Sequence, residues 1–152
     1  MKKKIIFGLL FFLFIILIFT SFNYQKKASE NYATISISEY SFTLEKAVTP
    51  QEKSRGLMFR DMMPEDHGMI FIFDEKAEQS FWMKNTLIPL DIIFIDENKK
   101  IVDIKNNVQP CKHDPCVTYI SSQPALYVIE LNGGTTEKVG LKIGDILEID
   151  NL

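Results

Sequence analysis

Apolar and polar residues alternate with period two along Thr34-Ile35-Ser36-Ile37-Ser38, the pattern of a half-buried β-strand. Tyr40 to Val48 continues it as the partner strand of a hairpin. Thr49-Pro50-Gln51-Glu52 then has the signature of a helix start: Thr as N-cap, Pro at the first helical position, Glu three residues after the cap. Gly56 ends or bends that helix about a turn and a half later. Met69-Ile70-Phe71-Ile72-Phe73 is an unbroken apolar run bounded by Gly68 and Asp74, as expected of a strand buried on both faces. Ser80 to Lys84, Leu90 to Ile95, Lys100 to Ile104, Leu126 to Leu131 and Asp145 to Ile149 read as further strands, with turns at Asn85–Pro89, Asp96–Lys99 and Asn132-Gly133-Gly134. Thr135 to Val139 is placed as one helical turn before Gly140. The expected class is mainly β (α+β at the margin): a compact barrel- or sandwich-like domain with one short helix.

The N-terminal pattern is different. From Ile5 to Phe22 nearly every residue is apolar, and as a helix this run would span roughly 27 Å, close to the ~30 Å hydrocarbon core. Lys2, Lys3 and Lys4 precede it, so the positive-inside bias keeps the N-terminus in the cytoplasm and sends the rest across. Secretory signals carry a shorter apolar region and end at small residues, whereas Thr20-Ser21-Phe22-Asn23-Tyr24-Gln25-Lys26-Lys27 fits a cleavage site poorly. No cysteine closes the run, which excludes a lipoprotein anchor. Two readings stay open: an extracytoplasmic domain held on the cytoplasmic membrane by a retained transmembrane signal anchor, the preferred one, or a domain secreted after signal cleavage. The expected organisation is an anchor or signal segment over 1–22, a polar linker over 23–32 and a globular domain over 33–152.

Charge narrows the partners. The formal net charge of the 152 residues is −3, and −6 once Lys2, Lys3 and Lys4 are set aside. With Arg55 and Arg60 as the only arginines and no basic cluster, nucleic-acid binding is not expected. The pattern leaves oligomeric state unspecified.

Candidate chemistry begins with Pro110-Cys111-Lys112-His113-Asp114-Pro115-Cys116. In an oxidising compartment two cysteines this close read as a local disulfide, contributing only ~2 kcal/mol and stiffening one loop. A soft-metal alternative also exists: His113, His67, Met58, Met62, Met63, Met69 and Met83 with reduced cysteines would suit Cu(I), although methionine is ordinary core filler. A second cluster lies in Phe81-Trp82-Met83-Lys84-Asn85-Thr86-Leu87-Ile88-Pro89-Leu90-Asp91. It reads either as a satisfied polar turn, with Lys84 paired to Asp91, or as a pocket rim with Trp82 as a stacking face and Lys84, Asn85, Thr86 and Asp91 fixing a ligand. Arg55 is placed as a fork donor to a carboxylate such as Asp91 or Glu130. No nucleophile elbow, phosphate loop or zinc-spaced His/Glu pair exists, so neither a catalytic set nor a cofactor is expected.

Arg55-Gly56-Leu57-Met58-Phe59-Arg60, Gly68 to Phe73, Phe81 to Thr86, Ile88 to Asp91, the proline–cysteine loop before Tyr119, Ala125 to Leu131 and Gly144-Asp145 together resemble the domain of unknown function 192 family, over essentially Thr34 to Ile149. The resemblance implies a compact, mainly-β, barrel-like domain with a short helix, often secreted or membrane-tethered. It implies no activity, but it singles out Arg55, Trp82, Lys84, Asn85, Thr86 and Asp91. The leading expectation is a non-enzymatic envelope domain recognising a small polar ligand, a glycan or another envelope protein through the Trp82–Asp91 region. Copper binding and an uncharacterised hydrolase are the alternatives.

Overall fold

The computed structural model describes residues 14–21 and 30–152, and the chain divides into two units, Met1–Asn31 and Tyr32–Leu152. In the first, residues 14–21 are helical with exposed side chains. Among the described residues no helix is long and apolar enough to cross a membrane. The rest of the expected anchor, with Lys2, Lys3 and Lys4, lies outside the described residues, as does most of the expected linker.

The second unit is mainly β. A hairpin of β1 (Tyr32–Ile37) and β2 (Tyr40–Ala47) opens it, turning at Ser38, whose φ is +53°. α1 (Pro50–Arg55) follows, and its predicted capping box is made in full. The Glu52 N–H donates to Thr49 Oγ1 at 3.2 Å, and the Thr49 and Val48 N–H groups donate to Glu52 Oε2 at 2.8 and 3.0 Å. These bonds satisfy amides that the helix start would otherwise leave unpaired. Gly56, at φ +47°, ends the helix in a conformation that a Cβ would strain.

β3 (His67–Ala77), β4 (Ser80–Trp82), β5 (Leu90–Ile95), β6 (Ile101–Val108), β7 (Thr118–Ile120), β8 (Ala125–Asn132), α2 (Thr135–Val139) and β9 (Glu148–Asp150) complete the unit. Seven strands form one sheet in the order β6-β5-β8-β3-β2-β1-β9, while β4 and β7 make a separate two-stranded piece. The β2–β3 pair is parallel, with α1 in the crossover between them, and the other ladders are antiparallel. β5, in the interior of the sheet, is buried at every position, so apart from Asp91 it reads as a continuous apolar run rather than alternating.

The expected barrel is not formed. The two sheet edges do meet: Lys100 bridges Ile146, Ile101 N–H donates to Asp145 O at 2.8 Å, and Leu147 N–H donates to Lys99 O at 2.9 Å. The contact stops there, because the bonds come from the loop before β9 rather than from β9, which is only three residues long and is paired to β1. The result is a curled, open sheet. Its two faces carry separate apolar layers: Ile35, Leu44, Ile70, Ile93, Ile129 and Leu131 in one, and Leu57, Phe71, Met83, Ile92, Phe94 and Val128 in the other. Thr135–Val139 forms the helical turn expected there, ending at Gly140.

Candidate functional site

An acidic residue, Glu130, is set among the second apolar layer. Glu130 on β8 lies in register with Met69 of β3 on one side and Ile92 of β5 on the other, and it is 4% exposed. β3 approaches it closely: a Cβ on Gly68 would stand 2.5 Å from the Glu130 carbonyl oxygen. Among the described residues no hydrogen bond reaches its carboxyl. Burial raises its pKa to about 8 against the opposing charge of Arg60, so the group is largely neutral at pH 7. An ionised carboxylate without a partner would be costly to keep in such a place.

Glu130 lines a cavity of about 30 Å³, together with Arg55, Phe71, Phe81, Trp82 and Thr86. That is room enough for a water-sized group. Arg55 comes from the last turn of α1 and is exposed, with its guanidinium unpaired among the described residues. Trp82 ends β4 and is 50% exposed. Phe81, one residue earlier, meets Phe71 edge-on with centroids 4.9 Å apart and Phe94 at 5.9 Å, which fixes the strand carrying Trp82 onto the core. Thr86 is 6% exposed and its amide donates to Met83 O at 3.3 Å, while no hydrogen bond from the described residues holds its hydroxyl. A wider recess of about 250 Å³ lies beside Trp82, lined by Ser80, Phe81 and Thr118.

The predicted cluster is therefore divided between two roles. Arg55, Trp82 and Thr86 share the cavity. Asp91 does not join them. It is fully buried and accepts from the Asn107, Gly134 and Thr136 amides at 2.6, 2.9 and 2.7 Å and from the Thr136 hydroxyl at 2.7 Å. Those bonds tie the end of β6 and the start of α2 to β5, so Asp91 pairs with neither Lys84 nor Arg55. Lys84 instead reaches Asp114 at 3.3 Å in the cysteine loop and lies 5.8 Å from the Trp82 ring centroid. Asn85 is a turn residue at φ +57°, and its carbonyl accepts from the Phe59 amide at 2.8 Å, joining the two loops beside the cavity.

Glu130 entered the sequence reading only as an acceptor for Arg55, and no such bond is made. The signal for a larger role was an ionisable side chain inside the apolar stretch Val128-Ile129-Glu130-Leu131. Arg60 pairs with Glu45 through both guanidinium nitrogens, at 2.5 and 2.8 Å, and strapping the loop after α1 to β2 is its visible role.

Cys111 and Cys116 form the expected disulfide, with Cα atoms 5.6 Å apart. The soft ligands are dispersed: Met63, Met69 and Met83 are buried in the apolar layer, Met62 is 81% exposed, and His67 bonds Asp66 at 2.7 Å. Among the described residues no three His, Cys, Asp or Glu side chains stand together as a metal site. A larger cavity, about 550 Å³, lies elsewhere, between Tyr40, Glu65 and Lys138, where Lys138 and Glu65 pair at 3.0 Å.

Fold and site together define a mainly-β domain with a small polar pocket set in aromatic walls. The chain belongs to the domain of unknown function 192 family, whose family model, described as "Uncharacterized ACR", matches residues 33–149. It is similar to a Sinorhizobium meliloti 1021 protein, provisionally described as a transcription regulator, with 38% identity and TM-score 0.71 over 80% of this chain and 94% of that one. It is also similar to a protein of unknown function from Novosphingobium aromaticivorans DSM 12444, with 34% identity and TM-score 0.68 over 77% of this chain and 83% of that one. No curated protein matches it.

Proposed function

We propose that this chain is a non-enzymatic binding domain of the cell envelope, tethered through its N-terminal apolar run, that receives a small polar ligand in the pocket between Arg55, Trp82, Thr86 and Glu130. One observation carries the reading: the Glu130 side chain is almost wholly enclosed, its carboxyl has no hydrogen-bond partner among the described residues, and the open cavity it lines gives that carboxyl access from outside. Buried polar groups are ordinarily paired, and one facing a cavity is completed by whatever enters it. Trp82 offers a half-exposed aromatic face beside the same opening, on a strand held by Phe81. The extracytoplasmic placement is supported by Lys2, Lys3 and Lys4 ahead of the apolar run and by the Cys111–Cys116 bond, which suits an oxidising compartment.

Trp82 is the chain's single tryptophan, so its fluorescence reports on this pocket and the recess beside it. Screening small polar compounds against the full chain is expected to yield saturable changes in Trp82 emission that Arg55→Ala and Thr86→Val abolish. Hits that survive both substitutions unchanged would overturn the assignment.

A further inference from the structure

The side chains around the pocket have a one-sided hydrogen-bonding character. Arg55 supplies a guanidinium, which only donates, and the Trp82 indole N–H also only donates. The Thr86 hydroxyl donates or accepts, and a protonated Glu130 carboxyl has a proton to give. None of these groups is held by another side chain among the described residues. Lys53 is already committed: its ammonium donates to Ile72 O at 2.7 Å and lies 4.8 Å from the Phe73 ring centroid. Resting on the binding reading above, we propose that the pocket's occupant is a carboxylate, one oxygen entering toward Thr86 and Glu130 while the other meets the Arg55 fork.

Charge and planar geometry favour this chemistry over a cation. The cavity of about 30 Å³ admits little more than one ligand oxygen, so the rest of the group stays at the open rim beside Arg55. A cationic ligand would meet Arg55 at the rim and the charge of Arg60, which already reaches Glu130. A carboxylate meets both favourably, and planar two-oxygen recognition is the geometry a guanidinium matches best. Phe71 and Phe81 wall the cavity, and the recess of about 250 Å³ beside Trp82 and Thr118 has room for an apolar substituent next to the carboxylate.

Protonation follows from the same contacts. Arg60 is the charged group whose field reaches Glu130, Arg55 and Lys53 line the same cavity, and β3 and β5 set the uncharged Met69 and Ile92 on either side of it. A neutral Glu130 donates to the incoming carboxylate, whereas an ionised one repels it. Affinity therefore falls as pH rises through about 8.

The carboxylate has two sources, a free organic acid or the C-terminal end of a peptide. The test is a Trp82 fluorescence titration of the full chain in non-ionic detergent, at about pH 6.5 and about pH 9.5. The probes are phenylacetate, phenylacetamide, and N-acetyl-Gly-Phe with either a free or an amidated C-terminus. The proposal expects at least one carboxylate probe to bind at the lower pH about tenfold tighter than its amide, with a further loss of about tenfold at the higher pH. Glu130→Gln keeps a donor and is expected to bind at both pH values with the pH dependence gone, while Arg55→Lys weakens binding. Binding by the peptide alone assigns the site to chain ends, and binding by phenylacetate alone assigns it to small acids. Amides binding as well as acids, or an affinity unchanged between the two pH values, overturn the carboxylate proposal and leave the pocket standing. If neither acids nor amides nor a broader set of polar compounds perturbs Trp82, the pocket reading falls as well.

Discussion

Glu45 and Glu130 stand in register on either side of Met69, yet their carboxyls titrate in opposite directions. Hydrogen bonding from Arg60 holds Glu45 below the usual range, whereas burial without a hydrogen bond lifts Glu130 to about 8. Across adjacent strands their backbones are roughly 10 Å apart. One residue is a satisfied strap for the loop after α1. The other is a buried polar group open to a cavity.

That contrast has a thermodynamic consequence. A carboxyl whose folded pKa lies above its unfolded value binds its proton more tightly in the native state, so it makes stability fall as pH rises between the two. For Glu130 the window runs from the ordinary value of 4.5 to about 8. The loss across it is on the order of 4 kcal/mol. Thermal unfolding followed from about pH 5 to about pH 8.5 is expected to show this decline in the native chain and a much flatter profile in Glu130→Gln.

Glu45 has the opposite sign. Its depressed pKa contributes stability that is present above 4.5 and lost as pH falls through the lower folded value. Arg60→Ala is expected to remove that acid-side dependence and cost about 1–2 kcal/mol near neutrality, measured by urea denaturation.

Asp91 and Lys84 were candidates from one motif, and they separate cleanly by mutation. Asp91→Ala leaves three backbone amides without their acceptor, and the Thr136 hydroxyl with Asn106 Oδ1 alone, and is expected to cost about 3–5 kcal/mol. Lys84→Ala removes a well-exposed ion pair with Asp114 and is expected to stay within about 0.5 kcal/mol. Equal effects of the two in denaturant titrations would contradict the division of roles.

The cysteine loop is peripheral to the core. Cys111→Ser with Cys116→Ser is expected to lower stability by about 2 kcal/mol or less. Far-UV circular dichroism checks that the sheet survives, since the bridge closes a ring of only five residues' separation.

Much of the fold was legible because its elements announce themselves locally. The period-two run at Thr34–Ser38 marks β1 up to its turn at Ser38, the capping box at Thr49–Glu52 starts α1, and the continuous apolar run at Met69–Phe73 falls inside β3. β7 was missed because Thr118-Tyr119-Ile120 is too short to carry a pattern and is set by its pairing with β4. The expected barrel failed on a distance relationship: whether β9 reaches β6 depends on the loop at Gly144–Leu147, which periodicity does not encode. The site was half legible. Arg55, Trp82 and Thr86 were picked out by residue type, but Asp91 and Glu130 could be told apart only in three dimensions. Each is an acid within an apolar strand, and what distinguishes them is that α2 and the end of β6 deliver donors to one and to the other none.

The central claim is that ligands enter between Arg55, Trp82, Thr86 and Glu130. Chemical-shift mapping of a fragment set on the isotopically labelled full chain tests it most directly, because it views every cavity at once. The account predicts that hits move the resonances of these four residues together, and that Glu130→Gln changes the hits' pH dependence. Hits that map instead to the larger cavity at Tyr40, Glu65 and Lys138, leaving these four residues unmoved, would contradict it.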